Sequence, residues 1–305
     1  MTPILEVEDL SISFLQYDRG TRRRVLPAIR RLDLTLEAGQ VTAVVGSSGS
    51  GKSLLAHGIL GILPYNARMA GTIRYRGEPL TPQRAAALRG REIVLVPQSV
   101  SYLDPLRKVG PQVDRDRDKV QAVLGRYGLG PETGDLYPFE LSGGMARRVL
   151  IATAVAASPA LVVADEPTPG LDARAAGRIL GHFRELAEGG AAVLLITHDL
   201  ELALTIAHKV AVFYAGETVE EAPAADFARR EDLRHPYTRA LWDALPQHGF
   251  TSIPGTQPYP GAVPEGCPFA PRCPRRQPDC GGDIPYQTVA GGRVRCLHPE
   301  RGAAS

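Results

Sequence analysis

Gly46-Ser47-Ser48-Gly49-Ser50-Gly51-Lys52-Ser53 fills every position of the pattern G-x-x-x-x-G-K-[ST], whose chemistry is the cradling of nucleotide phosphates. Its glycines let the backbone wrap closely, so that successive N–H groups and a helix N-terminus point at phosphate oxygens. Lys52 can then reach the β- and γ-phosphates, and the Ser53 hydroxyl can ligate Mg²⁺. An ordinary Gly/Ser turn capping a helix uses similar residues; the full match and its flanking elements favour phosphate binding. Further on, Leu161-Val162-Val163-Ala164 runs into Asp165-Glu166, an apolar strand ending in two carboxylates. Side chains alternate faces along a strand, which predicts Asp165 toward Mg²⁺. Glu166 then faces an attacking water as general base or orienting group. Ser142-Gly143-Gly144, ahead of a helix, offers a second anion-binding N-terminus, and two such sites in one chain imply a composite arrangement.

These groups need elements to position them. Val41 to Val45 is a short apolar run rich in β-branched residues and predicts a buried strand; Ser53 to Leu60 predicts a helix. Ile93-Val94-Leu95-Val96-Pro97 and Val193-Leu194-Leu195-Ile196 predict two more strands, followed by Gln98 and by Thr197-His198. Open α/β sheets place ligands beyond the carboxyl ends of their strands. A lone glutamine or histidine there is nevertheless often structural. Gln98 to about Glu140 reads as loops and helix, with Asp118 to Tyr127 the clearest helical stretch. From Leu141 to about Ala222 helices alternate with buried strands, which predicts a mostly parallel sheet closed by a hairpin over Phe213 to Val219.

The 305 residues suffice for one large α/β domain and a smaller unit, at roughly 100–200 residues per domain. A formal net charge of +2 excludes a strong general field toward nucleic acid. Arg22-Arg23-Arg24 and Arg30-Arg31 read as solvated loop edges, and Asp114 to Lys119, of mixed sign, as an exposed loop or helix start. Met1 to Leu10 carries Glu6, Glu8 and Asp9, so no signal pattern is expected there. No run of roughly 18 apolar residues predicts a membrane span.

After about residue 230 the composition changes. Pro and Gly become dense from Pro246 to Pro285, which argues against long helices or central strands. All four cysteines lie in this tail: Cys267, Cys273, Cys280 and Cys296. In a cytosolic chain, clustered thiols point to metal or redox use rather than disulfides. Their spacing lacks a C-x2-C pair, unlike ordinary zinc ribbons. Four thiolates suit a tetrahedral zinc site or an iron–sulfur cluster, with His298 as a possible substitute ligand; incidental cysteines are the alternative.

Together and in this order, the phosphate loop, Leu141-Ser142-Gly143-Gly144-Met145, the Asp165-Glu166 strand and Ile196-Thr197-His198-Asp199 resemble the ATPase subunit of an ABC transporter. The resemblance implies a P-loop NTPase of the α/β class, an ABC-type nucleotide-binding domain over residues 1–235. It would carry a helical subdomain at about 99–160 that docks on a membrane partner, and a small Cys/Pro-rich extension over 236–305. It implies that His198 contacts the γ-phosphate and polarises the water, and that Gln98 touches Mg²⁺ or the water. Ser142, Gly143 and Gly144 would close over ATP held by an opposing subunit, and Asp172 would make a dimer contact. Phe14, with Tyr17 as rival, falls where the family stacks an aromatic on adenine. Met145, Pro169 and Gly170 depart from the commonest residues.

His235-Pro236-Tyr237-Thr238-Arg239-Ala240-Leu241, Gly266-Cys267-Pro268-Phe269 and Arg272-Cys273-Pro274 resemble the C-terminal extension of the dipeptide, oligopeptide and nickel importer ATPases. In some relatives, cysteines so placed hold a [4Fe–4S] cluster. The resemblance thus implies an ATP- and Mg²⁺-dependent subunit of a binding-protein-dependent importer for peptides or nickel chelates. It would sit peripherally at the cytoplasmic face of the membrane. Its expected partners are a second, distinct ATPase, two permease subunits and an extracytoplasmic solute-binding protein, without nucleic acid. A soluble ABC ATPase acting on DNA or ribosomes is the alternative class, but no second cassette, coiled-coil insertion or basic arm is visible. A third reading makes the tail a redox or metal-sensing regulator.

Overall fold

The computed structural model describes residues 3–17 and 23–300; Arg22 of the first basic run lies outside them. The described residues fall into two compact units. The first draws on Met1–Glu37, Thr42–Leu80 and Thr197–Ser305, the second on Ala38–Val41 and Thr81–Ile196. The chain opens with β1 (Leu5–Tyr17), β2 (Arg23–Leu36), β3 (Val41–Gly46), α1 (Lys52–Leu60), β4 (Ala67–Tyr75) and β5 (Glu78–Pro79). Its middle holds α2 (Pro82–Leu88), β6 (Ile93–Val96), α3 (Gly110–Val113), α4 (Arg117–Arg126), α5 (Gly143–Val155), β7 (Leu161–Asp165), α6 (Ala173–Glu188) and β8 (Ala192–Thr197). It finishes with α7 (Leu200–Leu204), β9 (Lys209–Tyr214), β10 (Glu217–Pro223), α8 (Pro236–Asp243), β11 (Gln287–Val289) and β12 (Gly292–Val294).

In the first unit the strands lie in the order β5-β4-β1-β2-β10-β9-β3. β1 is antiparallel to both β2 and β4. Its buried residues Leu5 and Val7 keep period two, then the phase slips to Leu10 and Ile12. The register shifts between Val7 and Leu10, with Asp9 at φ 46°, so a bulge absorbs the extra residue and returns the apolar side chains to the core. β3 pairs in parallel with β9 and is buried throughout, as its apolar composition requires.

The hairpin expected at Phe213 to Val219 forms as β9–β10, turning at Ala215 and Gly216 with φ of 48° and 85°. It does not close the sheet. β10 also takes up β12 from the Pro/Gly-rich tail, pairing Glu220 with Val294, and β12 pairs β11. Arg234 fastens this addition. The side chain is 2% exposed and donates to Glu220 Oε1 at 3.2 Å, Asp226 Oδ2 at 2.7 Å and the Val289 carbonyl at 2.6 Å. A Cβ at position 292 would stand 2.6 Å from Arg234 Cζ, so the β11–β12 turn needs Gly292. From Pro246 to Pro285 the described backbone forms only short 3-10 turns and loops, as its Pro content dictates.

The second unit carries a parallel trio, β6-β7-β8. β7 and β8 are buried on both faces, and parallel strands normally are. The expected parallel sheet thus holds for these strands and for β3–β9, while β9–β10 is antiparallel. α6 buries Ala175, Ala176, Ile179, Leu180, Phe183 and Ala187, one face at helical spacing. The helix expected over Asp118 to Tyr127 forms as α4, and Asp116 caps it by accepting from the backbone N–H of Asp118 and Lys119.

Candidate functional site

The phosphate-loop pattern lies in the first unit. β3 ends at Gly46, and α1 begins at Lys52 behind Gly51, whose φ of 99° leaves the helix without any side-chain cap. The first N–H groups of α1 therefore face outward as an anion site. A Cβ on Gly46 would meet the Phe213 carbonyl at 2.3 Å, and one on Gly51 would meet Ile29 Cγ1 at 2.9 Å. Both positions need glycine for the loop to pack this closely. Lys52 is buried and its Nζ donates to the carbonyls of Gly46 at 2.8 Å and Ser47 at 3.1 Å, curling the cation over the loop. Ser53 is half-buried, Ser48 and Gly49 are exposed, and Ser50 is fully buried.

The tail rests against this loop within the same unit. Ser47 Oγ is hydrogen-bonded to Gln257 Oε1. Tyr237, whose hydroxyl is pushed above its usual range by burial, is hydrogen-bonded to Ser47 as well. Phe14 lies in β1 opposite Leu26 and Ala67 and is half-buried. Tyr17 is 68% exposed, with the Arg23 guanidinium 5.7 Å from its ring centre.

In the second unit the carboxyl ends of β6 and β7 deliver Gln98, which is exposed, and Asp165 and Glu166, which are buried. The strand stops at Asp165. Glu166 sits at φ 47° and donates its backbone N–H to the Ile196 carbonyl at 2.9 Å. Pleat alternation therefore does not set the relation of the two carboxylates, as the sequence had suggested. A left-handed turn does, a costly conformation for glutamate of the kind found at functional sites. In the first unit, which the chain re-enters at Thr197, His198 is exposed, and Asp199 caps α7 by accepting from the Leu202 N–H at 2.9 Å.

Ser142 and Asp172 both act as helix caps. Ser142 Oγ accepts from Met145 N at 3.3 Å at the start of α5, and Asp172 Oδ1 accepts from Ala175 N at 2.8 Å at the start of α6. Both residues, with Gly143, are exposed, and Gly144 is half-buried. Sequence reasoning missed Arg147. It is 7% exposed on α5, its pKa is lowered by burial, and it donates to the Pro97 carbonyl at 3.0 Å. It thereby joins α5 to the backbone just before Gln98. Its place two residues after Met145 was the only available signal.

The four cysteines are brought together. All are unbridged, and Cys267, Cys273, Cys280 and Cys296 line one small cavity with His235, Phe269 and His298. Burial pushes the Cys267 thiol up to about 12 and the Cys296 thiol up to about 11, with neighbouring cysteines adding to both. Burial likewise raises Cys273. His298 Nε2 is hydrogen-bonded to Asp279 at 2.8 Å. Asp279, Cys280 and His298 also form the described trio whose ligand atoms lie within 4.8 Å of one another. No helix among the described residues is long and apolar enough to cross a membrane.

Residues 29–169 match the family described as ABC transporter, and residues 219–280 match the oligopeptide/dipeptide transporter C-terminal region. Over 97% of its length the chain is 35% identical to the oligopeptide transport ATP-binding protein OppD of Salmonella typhimurium, covering 94% of that protein. The chain belongs to the ABC transporter ATP-binding family. It is also 34% identical to OppD of Escherichia coli K12, over 97% of this chain and 93% of that one. Among solved structures it shares the ABC cassette fold with a dimeric cassette in a post-hydrolysis state bound to ADP and Pi. That likeness has a TM-score of 0.63 at 24% identity, over 72% of this chain and 98% of the other. As an ABC cassette the chain is an ATP-hydrolysing transporter subunit that works with ATP and Mg²⁺. The C-terminal match ends at Cys280, so Cys296 and His298 lie beyond it.

Proposed function

We propose that this ABC ATPase powers a binding-protein-dependent importer of peptides. The observation that carries the reading is the end-to-end similarity to oligopeptide transport ATP-binding proteins, the C-terminal region included. In this reading the backbone N–H groups of Gly46 to Gly51, with Lys52, hold the β- and γ-phosphates, and Ser53, Asp165 and Gln98 serve Mg²⁺. Glu166 accepts a proton from, or orients, the attacking water, and His198 polarises it against the γ-phosphate. Phe14 stacks on adenine. Ser142, Gly143 and Gly144 cover ATP held by a second, distinct ATPase, with Asp172 at the contact. Positioning and charge neutralisation around the γ-phosphate supply most of the acceleration.

Two permease subunits and a solute-binding protein complete the assembly, and the ATPase works peripherally at the cytoplasmic face. The helical region would dock on a permease, as the similarity to peptide-importer ATPases implies. The test is ATP turnover of the reconstituted complex with its binding protein, titrated with dipeptides, longer peptides and nickel chelates. Stimulation by peptides is expected. Stimulation by nickel chelates alone would move the cargo to metal, and indifference to all three would overturn the importer reading.

The four cysteines would hold a [4Fe–4S] cluster. Thiols that burial keeps protonated are unfavourable as free anions, and a bound cation reverses that preference because ligation requires thiolates. Four thiols lining one cavity are a donor set that suits such a cluster. Such a group supplies one-electron redox chemistry or a structural staple. The hydrogen bond that Ser47 donates to Gln257, with its hydrogen bond to Tyr237, favours a second reading, in which the tail biases the phosphate loop. ATP turnover that changes on oxidising the bound group supports it, and unchanged turnover removes it.

A further inference from the structure

His235 lines the cysteine cavity and is 1% exposed. Its two ring nitrogens stand in different situations. Nδ1 accepts a hydrogen bond from the Tyr237 backbone N–H at 3.0 Å, which caps α8. With that lone pair engaged, the ring proton belongs on Nε2. Among the described residues Nε2 has no hydrogen-bond partner. A buried N–H without an acceptor loses its hydration with nothing in return, and capping alone does not require it. Asparagine, serine or aspartate caps a helix without burying a second polar atom. The same tautomer excludes Nε2 as a metal ligand, because ligation needs a bare lone pair there.

The cavity that His235 lines can supply the missing acceptor. Arg275 in its lining offers only donors, and His298 Nε2 is engaged with Asp279. The acceptors left among the lining side chains are His298 Nδ1 and the four sulfurs, and a group bound by the cysteines would present several sulfurs to the ring. We infer that His235 Nε2–H donates a hydrogen bond to a sulfur of the group held by Cys267, Cys273, Cys280 and Cys296, and so tunes its reduction potential. This rests on the four-cysteine cluster proposed above. An N–H donor draws charge from sulfur and stabilises the more negative, reduced state, so it raises the potential. His235 is then a positioning residue, neither ligand nor nucleotide contact.

The test uses the full-length chain loaded anaerobically with iron and sulfide, and reads midpoint potential by dye-mediated titration together with iron content. His235→Asn keeps a capping acceptor near the Nδ1 position and removes the donor at Nε2; His235→Gln restores an N–H near Nε2. Iron content equal to wild type with a lower potential in the asparagine variant, partly recovered in the glutamine variant, is expected. An unmoved potential at full iron content overturns the hydrogen bond alone, as does an equal shift in both variants. Failure of the wild-type chain to take up iron overturns the cluster together with the hydrogen bond.

Discussion

The phosphate loop and the cysteine cavity belong to the same compact unit yet are built in opposite ways. The loop's groups are consecutive, and local backbone conformation arranges them: Gly46 and Gly51 adopt dihedrals that only glycine accepts comfortably while packing against Phe213 and Ile29. The cavity's sulfurs are spread from Cys267 to Cys296, with His235 more than thirty residues upstream of the first. Here 3-10 turns, the β11–β12 addition and buried Arg234 perform the assembly. A site made of contiguous residues is written in its own motif, whereas a dispersed site is written in the packing of everything around it.

The contrast can be broken by substitution. Glu166→Gln is expected to bind ATP while hydrolysing it about 10²–10⁴-fold more slowly, the range for a lost general base. Iron content should not move. Near-normal turnover would remove Glu166 from its role. Cys280→Ser should do the converse, abolishing most iron uptake by the full-length chain while ATP binding persists. Loss of ATP binding as well would mean that the two regions act as one, through Ser47.

A smaller effect sharpens the comparison from outside both regions. Burial raises the Tyr127 hydroxyl from 10.0 to about 12. The unfolded chain therefore loses this proton from about pH 10, while the folded chain keeps it until about pH 12. Unfolding releases a proton in that window, so stability falls as pH rises, by roughly 1.4 kcal/mol per pH unit. Urea midpoints between pH 9 and 11 should drop more steeply for wild type than for Tyr127→Phe; parallel slopes would contradict the assignment.

Much of the cassette was legible in advance because short apolar runs announce buried parallel strands and fixed motifs sit at their ends. Val41–Val45, Ile93–Val96 and Val193–Ile196 all form strands close to their expected bounds. The left-handed turn at Glu166 was not legible: Pro167 signals that the ladder ends nearby, but a proline biases the residue before it toward extended backbone. Nor was the continuation of the β9–β10 hairpin into β12, because a three-residue strand following a Pro/Gly-rich stretch carries no periodic signal. His235 was visible only as part of a tail segment. Its orphan nitrogen exists only once Tyr237, Phe269 and the cysteines close around it.

The first unit is made from both ends of the chain, while the second is nearly one continuous stretch, Thr81–Ile196, with a four-residue contribution from Ala38–Val41. A ribosome working from the N-terminus finishes the middle before the outside. Strand β2 must wait through more than a hundred residues of synthesis for β10, and such long-range pairings form slowly and leave edges exposed meanwhile. The phosphate loop therefore receives Tyr237 and Gln257 as neighbours only long after it has itself been made.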